Sequence, residues 1–236
     1  MSNKGKLFLI PTPIAATTND VTVPPYARER LTSIQHFLAE DVRTARRYLS
    51  SLKIFQSIET LSFAVLDKDT RPEQLEGLLQ ALFEGYDVGV LSESGCPGIA
   101  DPGALAVAYA HKNGIRVIPL VGPSSIVMGL MSSGLNGQHF AFHGYLPIQP
   151  KEACNAIVQY EKESRLKDQT QIFIETPYRN NHLFANLVRS LAPETRLCVA
   201  IDITGPNEFI LTQPVKQWRQ QSPELRKEPA VFLFLA

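Results

Sequence analysis

The chain carries no surplus of either charge: 23 Lys and Arg balance 23 Asp and Glu in 236 residues. That balance gives no overall field for drawing in nucleic acid or an anionic membrane, although a local basic patch remains compatible with it. Cysteine is scarce as well. Cys96, Cys154 and Cys198 are far apart, odd in number and without a CxxC pair, which argues against a disulfide framework or zinc knuckle and for a reducing compartment. Long apolar runs are missing: Leu7 to Ile10 stops at Pro11, too short for a secretory signal, and nothing nears the length of a membrane span. The expectation is a soluble, cytoplasmic protein with no membrane association. Four common catalytic signatures are also absent: GxxxxGK[ST], a GxGxxG following a strand, HExxH and GxSxG. No metal site is expected either. His139 and His143 in HFAFH would face the same way on a strand, but two histidines without a third ligand read as structural.

What is present is an apolar content of 44%, enough for one large core or two modest ones. The apolar runs Lys6–Ile10, Thr32–Ala39, Thr60–Val65, Asp87–Leu91 and Ile115–Val121 read as strands. Between them, Glu40–Ser51 is a polar stretch with helical spacing. Arg71–Glu84 is an amphipathic helix with Leu75, Leu78, Leu79 and Leu82 on one side, and Ala104–Lys112 is a further helix. Strands alternating with helices predict a parallel sheet, and Pro119 places the last of these strands near an edge. After Gly134–Gly137 the texture changes. Phe140–Leu146, Thr170–Ile174, Leu197–Thr204, Glu208–Leu211 and Ala230–Leu235 read as strands, and Lys151–Glu163, His182–Leu191 and Val215–Gln220 as helices. Gly205-Pro206-Asn207 is a hairpin signal. The fold class is therefore α/β, with two α/β domains. The first, residues 1–120, has a mostly parallel sheet; the second, residues 121–236, has a mixed one.

Three Gly- and Pro-rich loops follow strand ends: Pro11-Thr12-Pro13, Ser92 to Asp101, and Gly122 to Ser125. Open α/β sheets bind ligands at such ends, and loops poor in side chains let a flat, neutral molecule approach the backbone. Ordinary turns would also look like this.

The residues resemble a known family. LFLIPTPI at Leu7–Ile14, AEDVR at Ala39–Arg43, LSESGCPGIADPG at Leu91–Gly103, PLVGPSS at Pro119–Ser125, FHGYLP at Phe142–Pro147 and FIETPYR at Phe173–Arg179 stand in register with signatures of the tetrapyrrole methylase superfamily. These are S-adenosylmethionine-dependent methyltransferases. The likeness is strongest to the branch that methylates a ribose 2′-hydroxyl of small-subunit ribosomal RNA. It implies adenosylmethionine as cofactor, held in a cleft between two domains, and a homodimer. Ribosomal RNA or the small ribosomal subunit is an implied partner. Position by position, it implies cofactor contacts from Pro13, Ser92, Ser94, Gly95, Pro97, Ile99, Ala100, Asp101, Ser124, Ser125, Tyr145, Leu146, Pro229 and Ala230.

The chain departs from the family pattern in places. Ala15 and Ala16 stand for Gly-Asn, Val42 for Thr, Glu93 and Ser94 for Asp-Ala, and Cys96 for Thr. Asp202-Ile203-Thr204-Gly205 lacks two basic residues, and the chain ends at Ala236 without a basic extension. These changes fall on the side where RNA phosphates would be met.

A ribose hydroxyl as nucleophile gains from a base that takes its proton. The catalytic candidates are Glu40 and Asp41, with Arg43 holding phosphate or a carboxylate. An acidic pair at a helix N-terminus is the structural alternative. Arg46 and Arg47 share a helical face with Arg43 and are substrate-binding candidates, as are Glu175 and Arg179; a solvated helix surface is the bland alternative for the arginines. Cys96 reads as a small packing residue and not a nucleophile. Two other functions stay open: methylation of a tetrapyrrole or another small or peptide substrate, and an idle adenosylmethionine-binding module.

Overall fold

The computed structural model describes residues 4–15, 18, 22–221 and 223–236; Ala16, among the departures above, lies outside them. The chain divides into two compact units, Met1–Ser124 and Ser125–Ala236.

The first unit is built on five short strands, β1 (Leu7–Ile10), β2 (His36–Ala39), β3 (Ser62–Val65), β4 (Val88–Leu91) and β5 (Val117–Pro119). They lie in the order β3-β2-β4-β1-β5 and every pairing is parallel. A parallel sheet is covered on both faces, so its central strands are apolar at every position, as the buried run Val88–Leu91 is. The side chains divide by the two-residue period. Phe8, Ile10 and Phe37 enter one core with helices α1 (Pro25–Leu31) and α2 (Val42–Ser51), whereas Leu7, Leu38, Val88 and Val90 enter the other. That second core receives Leu75, Leu79 and Leu82 from α3 (Leu75–Leu78) and α4 (Gln80–Phe83), and Ala106 and Ala110 from α5 (Gly103–Lys112). Pro119 sits on an edge strand, where its missing N–H costs no ladder bond.

The expected helix over Arg71–Glu84 is interrupted. A 3-10 turn over Pro72–Gln74 leads into α3, and Leu79, with φ −109 and ψ 12, separates α3 from α4. The apolar side survives the break because Leu75, Leu79 and Leu82 are still buried together. Gly77, inside α3, weakens helix continuity two residues before the break.

The second unit has β6 (Phe140–Phe142), β7 (Thr170–Glu175), β8 (Arg196–Ile201), β9 (Phe209–Pro214) and β10 (Ala230–Leu235), in the order β6-β7-β10-β8-β9. β6 runs parallel to β7, and the other pairings are antiparallel, so the sheet is mixed. The β8–β9 hairpin closes with Ile201 opposite Phe209. β6 is shorter than expected, because Gly144 turns the chain with φ +67 just beyond it. β10 is buried along its whole length. One face of the sheet packs on α6 (Ser125–Ser133), whose Gly129 lies against Val231 and Leu233. The aromatic core of Phe173, Phe232, Phe234 and Trp218 is closed by α7 (Pro150–Lys167), α8 (Asn180–Ser190) and α9 (Val215–Gln221). Trp218 donates Nε1–H to the Leu197 carbonyl at 2.9 Å, which satisfies its polar end inside that core. His143 stacks on Tyr160 with ring centroids 3.8 Å apart and pairs through Nε2 with Gln171 at 2.6 Å, a packing role.

Candidate functional site

β2, β4 and β1 lie side by side, and their registers set Ala39, Leu91 and Ile10 level with one another. The next residues, Glu40, Ser92 and Pro11, therefore leave the sheet along one edge. The chain goes from β2 outward to β3, but from β4 across β1 to β5. Diverging connections open a crevice at the carboxyl ends of the two strands. A cavity of about 490 Å³ lies there, within the first unit. Its walls are Thr12, Pro13 and Ala15 after β1, Ala39, Glu40 and Asp41 at the end of β2, Leu91, Ser92 and Glu93 at the end of β4, and one face of α2.

Backbone contacts tie the loops of this edge together. Thr12 and Gly95 exchange N–H···O bonds of 2.9 and 3.2 Å. Ser92 Oγ donates to the Gly95 carbonyl at 2.7 Å, Thr12 Oγ1 donates to the Ser92 carbonyl at 3.2 Å, and Tyr48 OH donates to the Pro11 carbonyl at 3.1 Å. Cys96 Sγ donates to the Pro123 carbonyl at 3.3 Å, and burial pushes its thiol up, so this cysteine is a packing residue. Gly122 meets Pro11 so closely that a Cβ there would stand 2.1 Å from the proline Cγ. Within the long loop, Asp101 Oδ1 accepts from the N–H groups of Gly98 at 2.9 Å and Gly103 at 2.6 Å. Ala100 between them is left-handed, with φ +56, as are Gly95 and Gly98. An alanine held there is strained, and the hydrogen bonds around it over-determine the turn.

The acidic pair is divided by what each side chain touches. Asp41 caps α2, accepting from the Thr44 N–H, and that bond lowers its carboxyl below the usual range. Glu40 makes no such cap. Burial first, then the nearby charges of Asp101 and Glu93, raise its carboxyl from 4.5 to about 7. Carboxylates held together cannot all ionise at ordinary cost, so one of them keeps its proton towards neutrality.

The three arginines fan apart. Arg47 reaches the cavity wall, the single basic side chain among its described lining residues. Arg46 pairs with Glu59 at 2.6 Å and lies over the Phe63 ring at 5.4 Å, while Arg43 is exposed on the outer face of α2. Thr44, Tyr48 and Ser51 line the cavity and were not singled out in the sequence. With Arg47 they stand at i, i+3, i+4 and i+7, a helical spacing that could have found them.

The candidates of the second unit form a group of their own. Glu175, whose side chain is 1% exposed, pairs with Arg179 at 2.8 Å and accepts from the Thr176 N–H at 2.7 Å. Arg179 reaches on to the Leu146 carbonyl at 3.5 Å. Ala230 pairs across the sheet with Glu175 and Ile201, and the Pro229 carbonyl accepts from Asp202 N–H at 3.0 Å. Leu146 and Ala230 are buried, whereas Tyr145 and Pro229 are exposed. Ser125 begins α6, and Ser124 ends the first unit. Among the described residues, no group of three or more His, Cys, Asp and Glu could hold a metal ion, and no helix is long and apolar enough to cross a membrane.

No protein-family model matches the chain. It is 30% identical over 235 residues to ribosomal RNA small subunit methyltransferase I of Escherichia coli O157:H7, spanning 98% of this chain and 78% of that protein. It is 31% identical over 211 residues to the protein of the same name from Xylella fastidiosa, spanning 89% and 73%. Among solved structures it matches uroporphyrin-III-C-methyltransferase from Thermus thermophilus with a TM-score of 0.57 at 17% identity, over 98% of this chain and 92% of that one. The methyltransferase CobJ matches with a TM-score of 0.64 at 15% identity, over 98% and 94%. Those two likenesses establish the fold. With the crevice at the parallel strand ends and relatives matched along nearly the whole length, the chain belongs to the ribosomal RNA small subunit methyltransferase I family, adenosylmethionine-dependent methyltransferases of the tetrapyrrole methylase fold.

Proposed function

We propose that this methyltransferase acts in the cytoplasm on RNA of the small ribosomal subunit, the substrate its relatives are named for, and that the acceptor is a ribose 2′-hydroxyl. The observation that carries the reading is Glu40, a carboxylate of raised proton affinity in a mainly apolar cavity whose wall also carries Arg47. A base titrating near neutrality is matched to removing a hydroxyl proton, and an arginine on the wall suits a neighbouring phosphate.

The loops of the first unit fit adenosylmethionine by their own chemistry. Ser94, Ile99 and Ala100 are exposed, and Ile99, 47% exposed, offers an apolar contact on a loop of otherwise small side chains. Ser92, Gly95 and Pro97 are buried in the same loop, and half-buried Pro13 lines the cavity. When bound, adenosylmethionine would supply an electrophilic sulfonium methyl group for the acceptor oxygen, with a neutral thioether as the leaving group. Glu40 takes the acceptor's proton. Asp41 acts on α2 by capping it, which keeps Thr44, Arg47 and Tyr48 facing the cavity.

The test is transfer of labelled methyl groups to small ribosomal subunits and to their RNA, with the product digested to nucleosides. Label on a ribose oxygen is the expected result. Label on a base or only in a small molecule overturns the acceptor, and cofactor binding without any transfer overturns the reading altogether. The functional unit is proposed to be a homodimer, so sedimentation should give twice the 26.2 kDa chain mass; a monomer mass at all concentrations refutes it.

A further inference from the structure

We infer that Tyr48 is a positioning residue for methyl transfer: its hydroxyl, fastened to the Pro11 carbonyl, sets how the acceptor side of the crevice stands against the loops that hold the cofactor. This rests on the reading above, in which α2 faces the RNA and the loops after β1 and β4 hold adenosylmethionine. Tyr48 lines the cavity from α2, one residue after Arg47, and Thr44 and Ser51 line it from the same helix. Its OH donates to the Pro11 carbonyl at 3.1 Å, a bond between residues 37 apart in the chain. The residue is only 8% exposed, and burial pushes its phenol above the ordinary range, so it stays protonated and remains a donor.

A displacement of Pro11 would not stay local. Its ring meets Gly122, where a Cβ would stand 2.1 Å from the proline Cγ, so it is pressed against the loop after β5. Next in the chain, Thr12 exchanges two N–H···O bonds with Gly95 and donates Oγ1 to the Ser92 carbonyl at 3.2 Å. Ser92 Oγ in turn donates to the Gly95 carbonyl at 2.7 Å. The three loops are thus one platform, and α2 grips it through the Tyr48 hydroxyl. Pro11 is buried, so its carbonyl without that donor would be left at a cost that favours a shifted loop. In-line transfer is sensitive to such a shift, because misplacing the reacting atoms by about 1 Å costs about a hundredfold in rate. A tie between the two sides therefore matters more to rate than to the affinity for either ligand.

Tyr48→Phe removes the hydroxyl and keeps the ring. Affinity for adenosylmethionine, by calorimetry, and for small ribosomal subunits should each stay within about threefold, since each ligand still meets its own side of the crevice. With both substrates saturating, kcat for methyl transfer should fall by about tenfold or more. A tyrosine with a packing role alone gives the other pattern, a lower urea midpoint with kcat per folded molecule unchanged. Gly122→Ala, which presses on Pro11 from the side opposite Tyr48, should also lower kcat at saturation.

A second readout needs no turnover. If Tyr48 joins the two sides, filling one should be felt at the other, so adenosylhomocysteine should change the affinity of wild type for ribosomal RNA by about threefold or more. In Tyr48→Phe that factor should collapse towards one. An unchanged kcat in Tyr48→Phe overturns the inference, as does a tenfold loss of cofactor affinity with kcat intact, or the same linkage factor in both proteins. The reading beneath it fails differently. If wild type binds the RNA but transfers no methyl to a ribose hydroxyl, the acceptor proposed above is wrong and the linkage factor still decides the role of Tyr48. If wild type has no affinity for small subunits or their RNA, both are overturned.

Discussion

Arg46 and Arg47 are neighbours in the chain with different employment. Arg46 is held by Glu59 and stacked on Phe63, whereas Arg47 faces the cavity. An exposed ion pair of the first kind is worth under about 1 kcal/mol, so Arg46→Ala should change stability slightly and RNA binding little. Arg47→Ala should weaken binding to small subunits and flatten its salt dependence by about one unit of logarithmic slope. Titration of fluorescently labelled RNA at several salt concentrations measures both. Equal loss in the two variants would return the arginines to the single basic face that their spacing suggests. Their divergence could not be read from the sequence, since it depends on Glu59 and Phe63, which a helical projection of α2 does not contain. The same is true of Glu40 and Asp41. The local pattern identifies an acidic pair before a helix, and the cap falls naturally to Asp41, but the raised proton affinity of Glu40 comes first from burial and then from Asp101, Glu93 and Asp67, all distant along the chain.

At the scale of elements, the strands were legible wherever burial is total. Val88–Leu91 and Ala230–Leu235 are apolar at every position, and no other element accommodates such short, dense runs as well as a central strand. The helix α1 was not, because Pro25–Leu31 buries only Ala27 and Leu31 and leaves little apolar period to detect. The break at Leu79 was missed for a different reason: periodicity reports which face is apolar and is blind to one residue leaving helical geometry. The loops that join elements carry a sharper requirement. Pro11 and Gly122 pack two of them together, and the proline ring cannot yield. Gly122→Ala should destabilise the first unit by about 1–3 kcal/mol, as an overpacked contact does. Urea unfolding followed by circular dichroism is the measurement, and an unchanged midpoint would mean that the two loops part at no cost.

The first unit packs around two hydrophobic cores and the second around its own, and the chain has a single tryptophan. Trp218 lies in the core of the second unit and is 1% exposed, so its fluorescence reports that unit, whereas far-ultraviolet dichroism reports both. Gly122→Ala should accordingly shift the dichroism transition to lower urea and leave the Trp218 transition nearly in place. Coincident shifts in both signals would show that the units unfold as one. The division into a parallel and a mixed sheet followed from the order of strand and helix patterns, which is a property of the chain as a whole and survives errors at individual boundaries.

The crevice beyond β2 and β4 exists because the chain leaves those strands in opposite directions. No side chain at positions 40, 47 or 93 is needed to open it, and none of the three belongs to either hydrophobic core of the first unit. Redesign of the acceptor can therefore proceed at those positions while leaving the folding problem alone. Libraries varied there should retain soluble, cooperatively folded members at high frequency, so that screening effort goes to chemistry and not to rescue of stability.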